Sequence, residues 1–255
     1  MGLNTVAIKR IASDVKYIIN NYDALKAENI YYKHDEDNIM VGYAMIIGNK
    51  DTPYENGYYF FKFIFSDNYP FEPPKVTYLT NDGITRFNPN LYVNGKVCLS
   101  ILNTWSGENW TSCQTINSIL LILTTVLNDM PLLNEPGIKS SDININKYNL
   151  LISYKNIEYS ILEQYYIIKK IDENKDLLNN KDLLNNKEDN YYPIIYKFRD
   201  IFLDKFKENY KNIKKQLNFL NNKITGDSIY VSTYNLSCKI DIKKLNNELN
   251  KIDFI

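Results

Sequence analysis

The 255-residue sequence predicts an α+β fold, an antiparallel meander flanked by helices, with a helical extension at its C-terminal end. Three observations carry that expectation. Residues 39–80 hold β-branched and aromatic runs cut by Gly, Pro and Asn turns. Apolar residues recur at helical spacing on both sides of that region. Between them, Asn94-Gly95 marks a tight reverse turn in an extended stretch. An apolar fraction of 44% supplies enough material for a packed core.

Taken in order, Thr5 to Ala27 places Val6, Ile11, Val15, Ile18, Ile19 and Leu25 at near-helical spacing and predicts an amphipathic first helix. YYKHDEDN at 31–38 reads as a solvated loop carrying His34. Ile39–Ile47, Tyr58–Phe65 and Val76–Leu79 read as strands, and Phe61, Phe63 and Phe65 alternate with Lys62 as if one face met a core. YPFEPP at 69–74 cannot continue a central strand and reads as a stiff connector. Thr111 to Thr115 offers cap-type residues ahead of Ile116, Ile119, Leu120, Leu123, Val126 and Leu127, a core helix. Ile143 to Ile171 is helical in pattern, with Leu150, Leu151, Ile157, Ile161 and Leu162 apolar. NKDLLN then occurs twice in succession, at 174–179 and 180–185, and reads as an expanded solvated loop. Tyr191–Leu220 and Ile240–Leu249 predict two more helices. The division that follows is a core over 1–168, a low-complexity insertion over 169–190, and a helical extension over 191–255 that packs on the core.

Composition removes several classes of function. With 30 basic and 30 acidic residues, nothing favours nucleic acid or an anionic membrane as partner. The three cysteines, at 98, 113 and 238, form no CxxC and no zinc spacing, and read as free thiols of a reducing compartment. No metal site is expected. The first ten residues lack a signal-peptide core, and Val6 stands where a myristoylation motif at Gly2 needs Ser or Thr. Ile116–Leu127 is too short to span a bilayer. An intracellular, cytoplasmic protein is expected, with the nucleus also compatible. His34 is the sole histidine, which argues against Cys–His and Ser–His–Asp hydrolases and multi-histidine metal sites.

The chemistry concentrates in FNPNLYVNGKVCLSIL, Phe87 to Leu102. A two-residue turn at Asn94-Gly95 would set Val93 against Lys96, Tyr92 against Val97 and Leu91 against Cys98. Asn90 would then lie one step beyond Cys98, within roughly 5–8 Å. A thiol beside an amide donor suits acyl transfer, in which the thiolate accepts the acyl group and the N–H steadies an oxyanion. The plainer alternatives are a buried core cysteine and an asparagine that only caps its loop. Apart from Lys96, no cationic residue is forced near Cys98, so strong activation of the thiol is not expected.

YPFEPPKV at 69–76, FNPN at 87–90, NGKVCLSIL at 94–102 and the Trp105–Trp110 pair resemble the ubiquitin-conjugating enzymes. FNPN in place of the family's usual His-Pro-Asn, NTWSG at 103–107 and NEPG at 134–137 resemble a large-chain subclass. That subclass includes the Z-type enzyme and the conjugating domain of giant inhibitor-of-apoptosis proteins. The likeness covers about Lys9 to Gly137, and more loosely the C-terminal region. It implies the ubiquitin-conjugating fold, with a four-stranded meander. It also implies a cysteine thioester at Cys98 and an oxyanion and loop role for Asn90. A gate that orients the incoming lysine falls on Glu135 or Asn134. Partner contacts would come from Lys9 and Arg10 (activating enzyme), Pro70 and Phe71 (ligase), and the loop at Thr111 and Ser112. That loop lacks the family's usual proline, which weighs against ordinary RING-type partners, and Gly107-Glu108-Asn109 lengthens the loop beside the cysteine. Asn88 replaces the usual histidine and should hydrogen-bond locally. No cofactor is bound, because ATP is consumed by the activating enzyme. The implied partners are ubiquitin or a ubiquitin-like protein, an activating enzyme, a ligase and protein substrates. A silent adaptor of the same fold is the alternative, but silent relatives lack the cysteine that this chain keeps.

Overall fold

The protein was analysed as a computed structural model, which describes residues 5–178 and 191–252. The Gly2 motif and the second NKDLLN copy lie outside the described residues. A long helix, α1 (Thr5–Asn20), and a short one, α2 (Tyr22–Ala27), lead into four strands: β1 (Ile30–His34), β2 (Val41–Ile47), β3 (Tyr58–Ile64) and β4 (Lys75–Tyr78). The strands form an antiparallel sheet in sequence order. Then come α3 (Ile116–Val126), α4 (Asn144–Lys155), a π-helical stretch over Asn156–Glu163, and α5 (Gln164–Glu173). The C-terminal part contains α6 (Tyr192–Lys197), α7 (Arg199–Lys223), the hairpin β5 (Ser228–Val231) and β6 (Leu236–Lys239), and α8 (Ile242–Asn250).

The first helix is interrupted at Asn21, and its buried stripe is Ala7, Ile11, Asp14 and Ile18. Val6 and Ile19, expected on the inner face, are 51% and 67% exposed. Asp14 takes their place as an anchor: its carboxylate accepts Arg10 Nε–H at 2.9 Å and a short hydrogen bond from the Tyr69 hydroxyl. Helix α3 begins as its sequence predicts. Thr115 caps it, accepting the Ser118 N–H while Ser118 accepts the Thr115 N–H, a reciprocal capping box.

The first departure is β1, which occupies part of the stretch read as a solvated loop. His34 ends that strand, half-buried, with Nε2 2.8 Å from the Ile39 carbonyl and Nδ1 2.9 Å from the Tyr32 hydroxyl. The carbonyl only accepts, so Nε2 carries the proton and Nδ1 accepts from Tyr32.

The second departure concerns the sheet, whose second face is buried at one end and opens to solvent at Lys33, Ile64 and Lys75 at the other. Registered neighbours Ala44, Phe61 and Tyr78 line one side, whereas Tyr31, Met45 and Phe60 line the other. All six are at most 1% exposed. The second face is covered by the C-terminal helices: the Tyr58 ring lies 4.0 Å from that of Phe202, and Phe60 lies 5.9 Å from both Tyr191 and Phe198. Period-two reading put Phe61, Phe63 and Phe65 on a core face and left the other face open, because nothing local to β3 announces a cover arriving well over a hundred residues later.

Polar staples complete the fit. Asn156, 2% exposed, accepts the Tyr59 hydroxyl at 2.6 Å and donates to the Glu55 carbonyl at 2.9 Å. A Cβ on Gly57 would sit 1.7 Å from the Asn156 Oδ1, so only glycine permits that approach. Helix α5 runs to Glu173, so residues 169–173 of the segment read as a loop are helical, followed by a 3₁₀ turn over Lys175–Leu178.

Two outcomes follow from this packing. Phe202→Ala removes a fully buried ring and should cost about 3–5 kcal/mol, read as a lower urea midpoint; an unchanged midpoint would show that α7 does not hold the sheet. Burial pushes the His34 pKa below its ordinary 6.5, although the Ile39 contact and Asp35 oppose that shift. The unfolded chain therefore binds this proton more readily, and stability should fall as pH drops through about 6.5 toward the lowered native value. His34→Gln should flatten that limb of the stability–pH curve.

Candidate active site

Residues 87–98 fold back on themselves, but in a different register from the one a two-residue turn gives. The Gly95 N–H donates to the Tyr92 carbonyl at 2.9 Å and the Tyr92 N–H to the Lys96 carbonyl at 2.9 Å, leaving a three-residue loop, Val93-Asn94-Gly95. Gly95 has φ +86°, the left-handed residue of a bulged hairpin. A Cβ there would also meet the Tyr78 carbonyl oxygen at 2.9 Å, where the hairpin docks on β4. Leu91 thus pairs with Val97, and Asn90 lies directly opposite Cys98 instead of one step beyond it. The turn bulges because only Gly95 takes positive φ, whereas the two-residue turn needs it at Asn94 as well.

Asn90 and Cys98 clasp each other through two hydrogen bonds. The Cys98 N–H donates to the Asn90 carbonyl at 2.8 Å, and Asn90 Nδ2 donates to the Cys98 carbonyl at 2.8 Å. The Asn90 Oδ1 is buried without a partner. Asn88, fully buried, fixes the loop: its Oδ1 accepts the Asn90 N–H at 2.8 Å. Its Nδ2 donates to the Tyr54 hydroxyl at 2.8 Å and the Val126 carbonyl at 2.7 Å. The local role expected of Asn88 is present, and two long-range contacts are added to it.

The thiol itself is covered. Cys98 is 2% exposed, and its Sγ–H donates to the Thr104 carbonyl at 2.8 Å. The Thr104 hydroxyl accepts the Leu99 N–H at 2.9 Å and lies 2.8 Å from the Val97 carbonyl. The rest of the loop, residues 103–109, is exposed. It is pinned at its far end by the Trp110 N–H to Asn103 Oδ1 at 2.9 Å, with Trp110 Nε1 donating to the Pro70 carbonyl at 2.7 Å.

The expected partner-binding residues divide. Lys9, Thr111 and Ser112 are exposed, and Phe71 is 72% exposed. Pro70 is buried, with its carbonyl taken up by Trp110, so it supports the surface without presenting itself there. The Arg10 guanidinium, half-buried, is engaged within the chain, donating to the Ser112 carbonyl at 2.7 Å and the Gln114 carbonyl at 2.5 Å beside its ion pair with Asp14. It ties α1 to the 111–114 loop.

Asn134 donates to the Val126 carbonyl at 3.2 Å and accepts from Asn128 Nδ2 at 3.2 Å, so both ends of its amide have structural partners. The carbonyl it uses is the one Asn88 uses. The Glu135 Oε2 accepts the Tyr234 hydroxyl at 2.5 Å. Sequence reasoning missed Tyr234, and also Arg86, which donates to the Asn88 carbonyl at 3.1 Å and the Pro89 carbonyl at 2.5 Å. Arg86 stands just before FNPN, so proximity to the motif could have flagged it. Tyr234 gives no local signal.

The covered thiol has a measurable consequence. Cys113 is exposed, so a maleimide should label it about tenfold or more faster than Cys98, as followed by peptide mass spectrometry. Thr104→Ala, which frees the Val97–Leu99 edge, should speed Cys98 labelling severalfold. Equal rates in the unaltered protein would mean that the loop does not cover the thiol in solution.

A family model described as "Ubiquitin-conjugating enzyme" matches residues 10–155. The chain is 38% identical over 177 residues to "Probable ubiquitin-conjugating enzyme protein 17" of Caenorhabditis elegans, covering 65% of this chain and 24% of that one. It is 40% identical over 124 residues to "Ubiquitin-conjugating enzyme E2 Z" of Homo sapiens, covering 48% and 35%. It is 32% identical over 168 residues to the human "Dual E2 ubiquitin-conjugating enzyme/E3 ubiquitin-protein ligase BIRC6", covering 61% and 4%. A solved structure of a ubiquitin-conjugating enzyme E2 from Plasmodium falciparum aligns with TM-score 0.40 at 28% identity, over 47% of this chain and 96% of that chain. This chain spans at most 35% of the length of these three curated relatives. From the match across residues 10–155, with FNPN and Cys98 inside it, the chain belongs to the ubiquitin-conjugating enzyme family, in its FNPN-type subclass.

Proposed function

We propose that this chain carries ubiquitin, or a ubiquitin-like protein, as a thioester on Cys98. The direct pairing of Asn90 with Cys98 supports this reading most strongly, because it brings an amide donor to the acyl-bearing residue. An activating enzyme, which consumes the ATP, presents the cargo as its own thioester. The Cys98 sulfur attacks that carbonyl carbon; the new C–S bond forms, the old one breaks, and the thiol proton passes to the departing sulfur. A thiol that is 2% exposed cannot be reached this way until the Thr104 side of its loop swings off. No cofactor is held by the chain itself.

In transfer, a substrate lysine amine attacks the Cys98 thioester. A C–N bond forms, the C–S bond breaks, and the ammonium gives up two protons, one to the Cys98 sulfur and one to a base. Asn90 Nδ2, which has a second N–H besides the one on the Cys98 carbonyl, is the donor for the oxyanion of this step. Glu135 is the gate in preference to Asn134, whose amide already has structural partners on both sides, and a carboxylate both attracts an ammonium and accepts its proton. Lys9, Phe71, Thr111 and Ser112 form the surface for the activating enzyme and ligases. The setting is the cytoplasm, with the nucleus also compatible.

The test is charging with ATP, activating enzyme and ubiquitin, read on a non-reducing gel. Wild type should give a thiol-sensitive adduct, Cys98→Ala none, and Cys98→Ser a thiol-resistant one. Asn90→Ala should still charge but discharge to lysine about 10²–10³-fold more slowly, a loss of roughly 3–4 kcal/mol of transition-state stabilisation. Normal discharge would remove the oxyanion role. No adduct with any activating enzyme and cargo would favour a silent adaptor.

A further inference from the structure

The contact between Tyr234 and Glu135 joins two parts of the chain that have no sequence relation. Tyr234 closes the 3₁₀ turn Ser232–Tyr234 at the tip of the β5–β6 hairpin. That tip is held from both sides. The Ser232 N–H and hydroxyl both donate to Asn144 Oδ1, at 3.3 and 3.2 Å, and Asn235 follows in the left-handed conformation at φ +49°. Val231 beneath it is fully buried. The tyrosine is therefore presented by a fixed turn, not by a loose tail.

From there it reaches two groups. Its hydroxyl donates to Glu135 Oε2 at 2.5 Å. Its ring lies 5.4 Å from the Arg86 guanidinium, which also rests on the Tyr92 ring at 3.3 Å. Arg86 in turn holds the carbonyls of Asn88 and Pro89, the two residues before Asn90, and accepts the Tyr148 hydroxyl on its own carbonyl at 2.6 Å. Asn88 and Asn134 also share the Val126 carbonyl as an acceptor. The asparagine loop and the gate segment therefore belong to one cluster, and Tyr234 touches both halves of it.

We propose that Tyr234, supplied by the C-terminal extension, is a positioning residue for lysine transfer. It holds the Glu135 carboxylate in place for the incoming ammonium and clamps Arg86 onto the loop that carries Asn90. The inference rests on the thioester reading above and adds to it. Burial, and then the Glu135 carboxylate, push the Tyr234 hydroxyl well above the ordinary tyrosine range, so it remains a donor across neutral pH. Glu135 consequently has its Oε2 fixed by an uncharged partner, with no cation on that oxygen. The extension thereby acts on the acceptor side of the site.

The test uses the purified thioester of the full chain, so that charging yield does not enter. Tyr234→Phe keeps the ring on Arg86 and deletes only the hydroxyl. Discharge to free lysine is compared with discharge to hydroxylamine, an uncharged nucleophile at neutral pH that needs no carboxylate to draw it in. Tyr234→Phe should slow lysine discharge about tenfold while hydroxylamine discharge stays within about twofold. Glu135→Gln should show the same selectivity, and the double variant should be no slower than the slower single one. Unchanged lysine discharge in Tyr234→Phe would overturn the inference, as would equal slowing toward both nucleophiles, which would mark a general loosening of the fold. Absence of any thioester on the wild-type chain would overturn the underlying reading, and the inference with it.

Discussion

Burial of both faces of the meander at its Tyr31–Met45–Phe60 end is the constraint on which the rest of the molecule depends. One face meets the connector at Tyr69 through Phe65 and the buried Asn156 through Tyr59; the other meets Tyr191, Phe198 and Phe202 through Phe60 and Tyr58. A strand such as β3, with four successive residues fully buried from Tyr58 to Phe61, is stable only when both layers are in place. The C-terminal region is thus a structural layer of the fold. Because it wraps from α7 back across α4, it also delivers the β5–β6 hairpin to the edge of the candidate active site.

At that site the framework is held by three amides, one fully buried and two half-buried. Asn88 fixes the loop, Asn90 clasps the cysteine backbone, and Asn134 shares the Val126 carbonyl with Asn88. Amides suit this task because they both donate and accept without a charge that burial would penalise. The charged members, Arg86 and Glu135, are held from outside by tyrosines. Only the thiol is left with a weak, breakable contact, to a carbonyl in an exposed loop.

Much of this was readable before any coordinates. Helix α3 and its Thr115 cap, strands β2 to β4, the hairpin at 94–95, and the approach of Asn90 to Cys98 all follow from local rules: periodicity, capping chemistry and turn preference. Strand β1 was hidden because the polar residues at its end and beyond, Lys33 to Asp37, dominate the composition of a short window. The π-helical stretch was hidden because it answers to Asn156 reaching Tyr59 and Glu55, contacts with no signature along α4. The register slip at the hairpin came from backbone φ, which side-chain patterns do not report.

By itself the sequence determined the class of fold, the family, and the identity of the cysteine and asparagine at its centre, since motif spacing and local propensity are properties of neighbours along the chain. The tertiary structure alone decided three things. The second sheet face is covered at one end, Arg10 is tied to the Ser112 carbonyl and Pro70 to Trp110, and Tyr234 stands on Glu135. Each of these depends on residues tens to more than a hundred positions apart meeting in space, and such meetings are set by how whole layers pack, not by any pattern within one segment.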